Sequence, residues 1–150
     1  ELPGKFQVIH LTGKGKIDGT QELYRQARFP LLLLESTGKM ALLLAAADLV
    51  FSRSGGSTAA ELALFGKAAI LIPYPYAAEG HQMDNARHFS GNGAAMVEEN
   101  SNFNREKAGE IIREFLDCPE KFRTMGENMR RLARPDASER LISEISAVLD

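Results

Sequence analysis

The sequence predicts an α/β fold in which a parallel sheet is covered by helices on both faces. Three observations carry that prediction. Short apolar runs alternate with segments of helical periodicity from one end of the chain to the other. The runs at residues 31–34 and 69–72 are rich in leucine and isoleucine, as in strands buried on both sides. Glycine or proline punctuates the junctions, at Gly13, Gly66 and Pro73 among others.

Taken in order, residues 6–11 read as a first strand with His10 in a structural place, stopped by Thr12-Gly13-Lys14-Gly15-Lys16. Residues 18–28 read as a helix capped by Asp18 or Thr20, with Leu23, Tyr24 and Ala27 on its apolar side. A leucine-rich strand follows at 30–35, then a nearly all-apolar helix at 39–47 and a third strand at 49–52. The helix after it closes at Gly66, a good C′ residue. Residues 69–72 form a fourth strand, and Pro73-Tyr74-Pro75-Tyr76 must begin a loop because proline cannot continue a central ladder. A short helix at 82–89, a turn at Gly91-Asn92-Gly93 and a fifth strand at 94–97 complete the alternation. Three helices end the chain. Residues 104–116 are capped by Asn104 and turn Ala108, Ile111, Ile112 and Phe115 inward. Residues 119–133 start at Pro119, and 136–149 carry Leu141, Ile142, Ile145, Val148 and Leu149 on one side.

A chain of 150 residues, with no internal repeat or linker, fits one domain with a real core. Its formal net charge of -2 argues against a general nucleic-acid binder. The lone Cys118 cannot form an internal disulfide and fits a reducing compartment. No stretch approaches the ~20 apolar residues of a membrane span, and no signal peptide is visible. The first residue is Glu1 rather than Met, so a fragment or processed product is expected.

The chain is organised around Ser52-Arg53-Ser54-Gly55-Gly56-Ser57-Thr58-Ala59-Ala60-Glu61. A strand, a glycine turn and a helix follow one another there. Glycine lets backbone approach a ligand, and the new helix offers unpaired N–H groups at its positive end, a place suited to a diphosphate. Glu61 lies one turn beyond Ser57 and can accept hydrogen bonds from ribose hydroxyls. A plain αβ turn with Ser57 or Thr58 as an ordinary cap fits the same spacing. The topology favours the ligand reading, because open α/β sheets bind beyond the carboxyl ends of their strands. That edge would gather Thr12-Gly13, Ser36-Thr37, residues 54–57 and the loop 74–82.

His81-Gln82-Met83-Asp84-Asn85 is the second cluster. Gln82 and Asn85 share a helix face, where their amides would grip sugar hydroxyls or cap backbone groups. His81 suits a solvated helix start better than a base. No Walker loop, no G-x-G-x-x-G, no zinc ligand set and no Asp-x-Asp pair occurs, so neither metal nor cofactor is expected. Charge opposite a diphosphate would come from the helix dipole, backbone amides and Arg53 or a lysine. Lys121, Arg123, Arg130, Arg131 and Arg134, diluted by Glu120, Glu127 and Asp136, read as a solvated helix face.

These residues together resemble the donor-site signature of the MurG family of bacterial N-acetylglucosaminyltransferases. The match comprises Ser52-Arg53-Ser54-Gly55-Gly56-Ser57-Thr58-x-x-Glu61-Leu62-x-x-x-Gly66-Lys67, then Ile72-Pro73-Tyr74-Pro75 and His81-Gln82-x-x-Asn85-Ala86. His10-x-x-Gly13-Lys14-Gly15, Met40 and Pro135-Asp136-Ala137-x-Glu139-Arg140 agree with it. The resemblance implies the C-terminal, Rossmann-like, donor-binding domain of a GT-B fold over residues 1–150, without the family's first strand and acceptor domain. It implies an inverting hexosyltransferase that moves N-acetylglucosamine from UDP-N-acetylglucosamine to lipid I, giving lipid II for peptidoglycan. Glu61 would hold the ribose, and Ser54, Gly55 and Gly56 would bind the donor at the turn. The amides and hydroxyls of Gly56, Ser57, Thr58, Ala59 and Ala60 would face the diphosphate. The backbone of Thr37 would meet the uracil, Gln82 would bind the sugar and Asn85 would support its loop. The catalytic base and the lipid-linked acceptor would belong to the missing domain, at the cytoplasmic face of the inner membrane. Ala68, where the family usually has proline, and the unusual Ser36-Thr37-Gly38 depart from the pattern. Other expectations stay open: another GT-B UDP-sugar enzyme (a split N-acetylglucosaminyltransferase subunit, a glycolipid transferase or an epimerase), or a non-catalytic nucleotide-binding module.

Overall fold

The computed structural model describes residues 6–77 and 80–149. Their elements run β1 (Val8–Leu11), α1 (Ile17–Leu23), β2 (Leu31–Leu34), α2 (Met40–Ala46), β3 (Leu49–Ser52), α3 (Gly56–Phe65), β4 (Ala68–Leu71), α4 (His81–Gly91), β5 (Ala95–Val97), α5 (Arg105–Asp117), α6 (Pro119–Arg131) and α7 (Ala137–Leu149). Each expected strand and helix is present, and every strand pairing is parallel. The chain forms two compact units that divide between Ala46 and Ala47.

In the first unit β1 and β2 pair in register, Val8 opposite Leu31 and Ile9 opposite Leu32. Ile9 and Leu32 therefore share a face, and both are exposed rather than buried as expected for this leucine-rich strand. Helix α1 stops at Leu23, well short of residue 28. Its start carries no side-chain cap, and Asp18 and Thr20 lie inside it instead of before it. Thr20 Oγ1 turns back on the Lys16 carbonyl at 2.8 Å, competing with the regular helix pattern. Leu23 is 85% exposed, against the inward place expected of it. Tyr24 is half-buried and meets His10 Nδ1 through its hydroxyl at 3.1 Å. Burial raises the Tyr24 phenol above its ordinary value.

In the second unit the strand order is β3-β4-β5. The central β4 is buried at every position, which explains its small and apolar sequence Ala-Ala-Ile-Leu. Ala68, Ile70, Ile111, Phe122 and Met125 form a core cluster, with Leu49, Phe51, Met96, Phe103 and Phe115 packed around it. Phe115 and Phe122 meet edge to face at 5.3 Å between centroids. Helix α5 begins as expected, with the Asn104 side chain accepting from Lys107 N at 2.9 Å. Helix α6 buries Phe122, Met125, Gly126 and Met129. Its outer cations are tied up locally, Lys121 with Glu114 and Arg123 with Glu120 and Glu127. Arg134 lies beyond the end of that helix.

Helix α3 ends as Gly66 predicts. Gly66 has φ 59°, and Lys67 N returns to the Leu62 carbonyl at 3.0 Å, closing a Schellman motif. Helix α7 differs from its expectation. It forms, but none of its residues is buried, and Leu141, Ile142, Ile145, Val148 and Leu149 are all exposed. An apolar stripe specifies a face for burial, and no described element covers this one.

Candidate functional site

The turn from β3 into α3 is built from Arg53, Ser54 and Gly55. Gly55 is the N-cap in an extended conformation and supplies no side chain to the helix start. A Cβ on Gly55 or Gly56 would meet nothing within 4 Å, so the pair faces open space. The first helical bond, from Ala59 N to the Gly55 carbonyl at 2.9 Å, sets the register. The orphan amides of the first turn are therefore those of Gly56, Ser57 and Thr58. This corrects the wider cradle expected from the sequence, since the Ala59 amide is already spent and the helix pattern takes the next. Ala59, Leu62 and Ala63 anchor the inner face of α3, while Gly56, Ser57, Ala60 and Glu61 are exposed on the outer one. Glu61 has no hydrogen bond or ion pair among the described residues. The turn thus presents three amides and, one turn along, a carboxylate with its acceptor oxygens uncommitted.

Beside this turn lies the segment between β4 and α4, of which residues 78 and 79 fall outside the described residues. Ile72 N still pairs with the Ser52 carbonyl at 2.8 Å, after which Pro73 ends the ladder. Tyr74 sits between two prolines and has the one main-chain N–H of that tripeptide. Gln82 Oε1 accepts it at 2.9 Å. Ser54 is fully buried and donates from Oγ to the Gln82 carbonyl at 2.7 Å, while Asn85 Nδ2 donates to the Ser54 carbonyl at 2.9 Å. Ser54 and Asn85 therefore lock the turn to the start of α4, and each spends a polar group on backbone. This corrects the donor-binding place expected of Ser54, which presents no surface to a ligand. Gln82 is half-buried with its amide nitrogen left for an outside acceptor, and His81 is the exposed first residue of α4. Arg53 Nη1 donates to the carbonyls of Ile72 and Pro73 at 3.0 and 3.2 Å, a role that sequence reasoning missed. A signal existed: carbonyls leaving a strand at Pro73 lose their ladder partners and need another donor.

Thr37 belongs to the first unit. Its Oγ1 accepts from Lys39 N at 2.9 Å, just ahead of α2, and that leaves its main chain for other partners. Nearby, Gly13 and Gly15 both have positive φ, and Gly15 N donates to Glu35 Oε1 at 2.7 Å. Parallel pairing brings residues 12–13 and 36–37 to one edge of this unit. Among the described residues no group of His, Cys, Asp or Glu is arranged to hold a metal ion, and no helix is long and apolar enough to cross a membrane.

Residues 1–141 match the model of the glycosyltransferase family 28 C-terminal domain. The chain belongs to this family. Curated family 28 relatives include the UDP-N-acetylglucosamine--N-acetylmuramyl-(pentapeptide) pyrophosphoryl-undecaprenol N-acetylglucosamine transferases of Desulforamulus reducens and Thermodesulfovibrio yellowstonii. The first is 34% identical over 97% of this chain and 41% of the relative. The second is 36% identical over 99% of this chain and 40% of the relative. Among solved structures, Acinetobacter baumannii MurG superposes with a TM-score of 0.83 at 27% identity, over 95% of this chain and 41% of that one. The glycosyltransferase VinC, solved with dTDP, shares the fold at a TM-score of 0.58 and 18% identity, over 74% of this chain and 27% of its own. The chain thus spans about two fifths of the length of the transferases it matches.

Proposed function

We propose that this family 28 domain holds the donor of a hexosyltransferase, and that the donor is UDP-N-acetylglucosamine. One observation carries the reading: the open, uncapped start of α3, with free amides at Gly56, Ser57 and Thr58 and an uncommitted Glu61 carboxylate one turn on. The amides and dipole suit the diphosphate, and the carboxylate suits the paired hydroxyls of a ribose. Gln82 donates from its amide nitrogen to a hydroxyl of the transferred sugar. The reading extends to transfer of N-acetylglucosamine to a pyrophosphoryl-undecaprenol-linked N-acetylmuramyl acceptor, which is what the relatives' name describes for them, and it assigns that transfer to peptidoglycan synthesis at the cytoplasmic face of the membrane.

In the transfer, the acceptor hydroxyl oxygen bonds to C1 of the sugar and gives its proton to a general base as the bond from C1 to the diphosphate oxygen breaks, with inversion. Negative charge grows on the departing UDP, where preorganised amides stabilise it most. No described residue is assigned as the base.

Calorimetric titration with UDP-N-acetylglucosamine tests the reading. Glu61→Ala should weaken binding about tenfold or more, the loss of charge-assisted hydrogen bonds to the ribose. The substitution lies on an exposed helix face and should leave the melting temperature unchanged. Binding by the variant equal to wild type would refute the role of Glu61.

A further inference from the structure

Arg53 has the charge expected of a phosphate ligand, yet its geometry is that of a clamp. Nη1 carries two hydrogens, and two carbonyls receive them, Ile72 at 3.0 Å and Pro73 at 3.2 Å. The guanidinium carbon lies 5.5 Å from the centroid of the Tyr74 ring. Three consecutive residues at the exit of β4 are thus gripped by one side chain. The next link is the Tyr74 N–H, which meets Gln82 Oε1 at 2.9 Å. Only the oxygen of that amide can accept an N–H, so the contact fixes which end of Gln82 is which. Its Nε2 is left as a donor. Meanwhile Ser54, the neighbour of Arg53, donates to the Gln82 carbonyl at 2.7 Å. Adjacent residues therefore hold Gln82 in two places. Ser54 fixes its main chain, and Arg53, through Tyr74, fixes its side chain.

We propose that Arg53 is a positioning residue that sets the Gln82 amide to donate to a hydroxyl of the transferred sugar, and that it is not a ligand of the diphosphate. The proposal rests on the donor-site reading above. A guanidinium can bond carbonyls from its edge while its flat face lies on a ring, whereas a lysine ammonium can bond the carbonyls but has no face to stack and so holds them less firmly. Holding the amide in place before the sugar arrives removes part of the ordering cost of binding.

Wild type, Arg53→Met, Arg53→Lys, Gln82→Ala and the Arg53→Met/Gln82→Ala pair are titrated with UDP and with UDP-N-acetylglucosamine, and their melting temperatures are recorded. UDP should bind all five alike. UDP-N-acetylglucosamine should weaken roughly tenfold in Arg53→Met, Arg53→Lys and Gln82→Ala, the loss of one positioned hydrogen bond. The double variant should be no weaker than Gln82→Ala, because both changes break one chain of contacts. If Arg53→Met does not fold, Tyr74→Ala keeps the main-chain N–H, removes the ring beneath Arg53, and should show a smaller loss confined to the sugar nucleotide. Equal losses for UDP and UDP-N-acetylglucosamine would mark Arg53 as a phosphate ligand and overturn the proposal. Rescue by Arg53→Lys, or additive losses in the double variant, would overturn it too. Wild type that binds neither nucleotide refutes the donor site itself.

Discussion

At the scale of single residues, polar groups around the α3 start fall into two sets. Ser54, Asn85 and Arg53 spend hydrogen bonds on backbone, while Glu61 and the amides of Gly56, Ser57 and Thr58 spend none on this chain. A buried polar atom without a partner costs about 1–3 kcal/mol, which is why the enclosed Ser54 must be bonded and the exposed Glu61 need not be. Elsewhere, Tyr24 shows how burial links a side chain to pH. Its raised phenol pKa means that the unfolded chain ionises first. That contribution to stability is intact below about pH 10 and is lost as pH rises through the folded value. Tyr24→Phe should therefore show a shallower decline of unfolding free energy above about pH 10 than wild type, measured by urea denaturation across pH. An identical alkaline slope would mean that the phenol is equally solvated in both states.

At the scale of elements, α3 is open at its start and held twice at its C-terminal end. Its C-terminus is closed by Gly66, and Arg130 Nη2 on α6 donates to the Phe65 carbonyl at 2.9 Å, a cation at the negative end of the helix. Helix α6 can come this close because of Gly126. A Cβ there would stand 2.7 Å from the Gly66 carbonyl oxygen and 3.4 Å from Ala68 N, both main-chain atoms. Gly126→Ala raises helix propensity by about 1 kcal/mol, but it must push two elements apart, an overpacking cost of about 1–3 kcal/mol. The second effect should win, because backbone cannot swing aside as a side chain would. Thermal denaturation of Gly126→Ala should show a lowered midpoint; a raised one would mean that α6 shifts freely.

For the whole molecule, burial is unevenly shared. The second unit has a continuous core around β4, with Phe122 1% exposed. Truncating that ring should cost about 3–5 kcal/mol. Helix α7 has the more apolar face in sequence, yet Ile142 is 65% exposed and Ile145 is 52% exposed. Ile142→Lys and Ile145→Lys should each change the unfolding free energy of this chain by less than about 0.5 kcal/mol, against the large loss for Phe122→Ala. A loss of several kcal/mol from either lysine would show that the stripe is buried in solution.

The sequence by itself determined the kind and order of the elements, because hydrophobic period, caps and glycine stops are local properties. Asn104, Gly66 and Pro119 each act where the chain alone says they must. It also located the glycine turn before α3, since that opening needs only a strand, two glycines and a helix. Tertiary structure decided which polar side chains stay available. Which atom of the Gln82 amide is already bonded, and that Arg53 meets two carbonyls, depend on partners up to about thirty residues away in the chain. It decided as well that Leu23, Leu32 and the α7 stripe stay exposed. An apolar pattern records a tendency to be covered, and only the packed neighbours determine whether a covering surface is there.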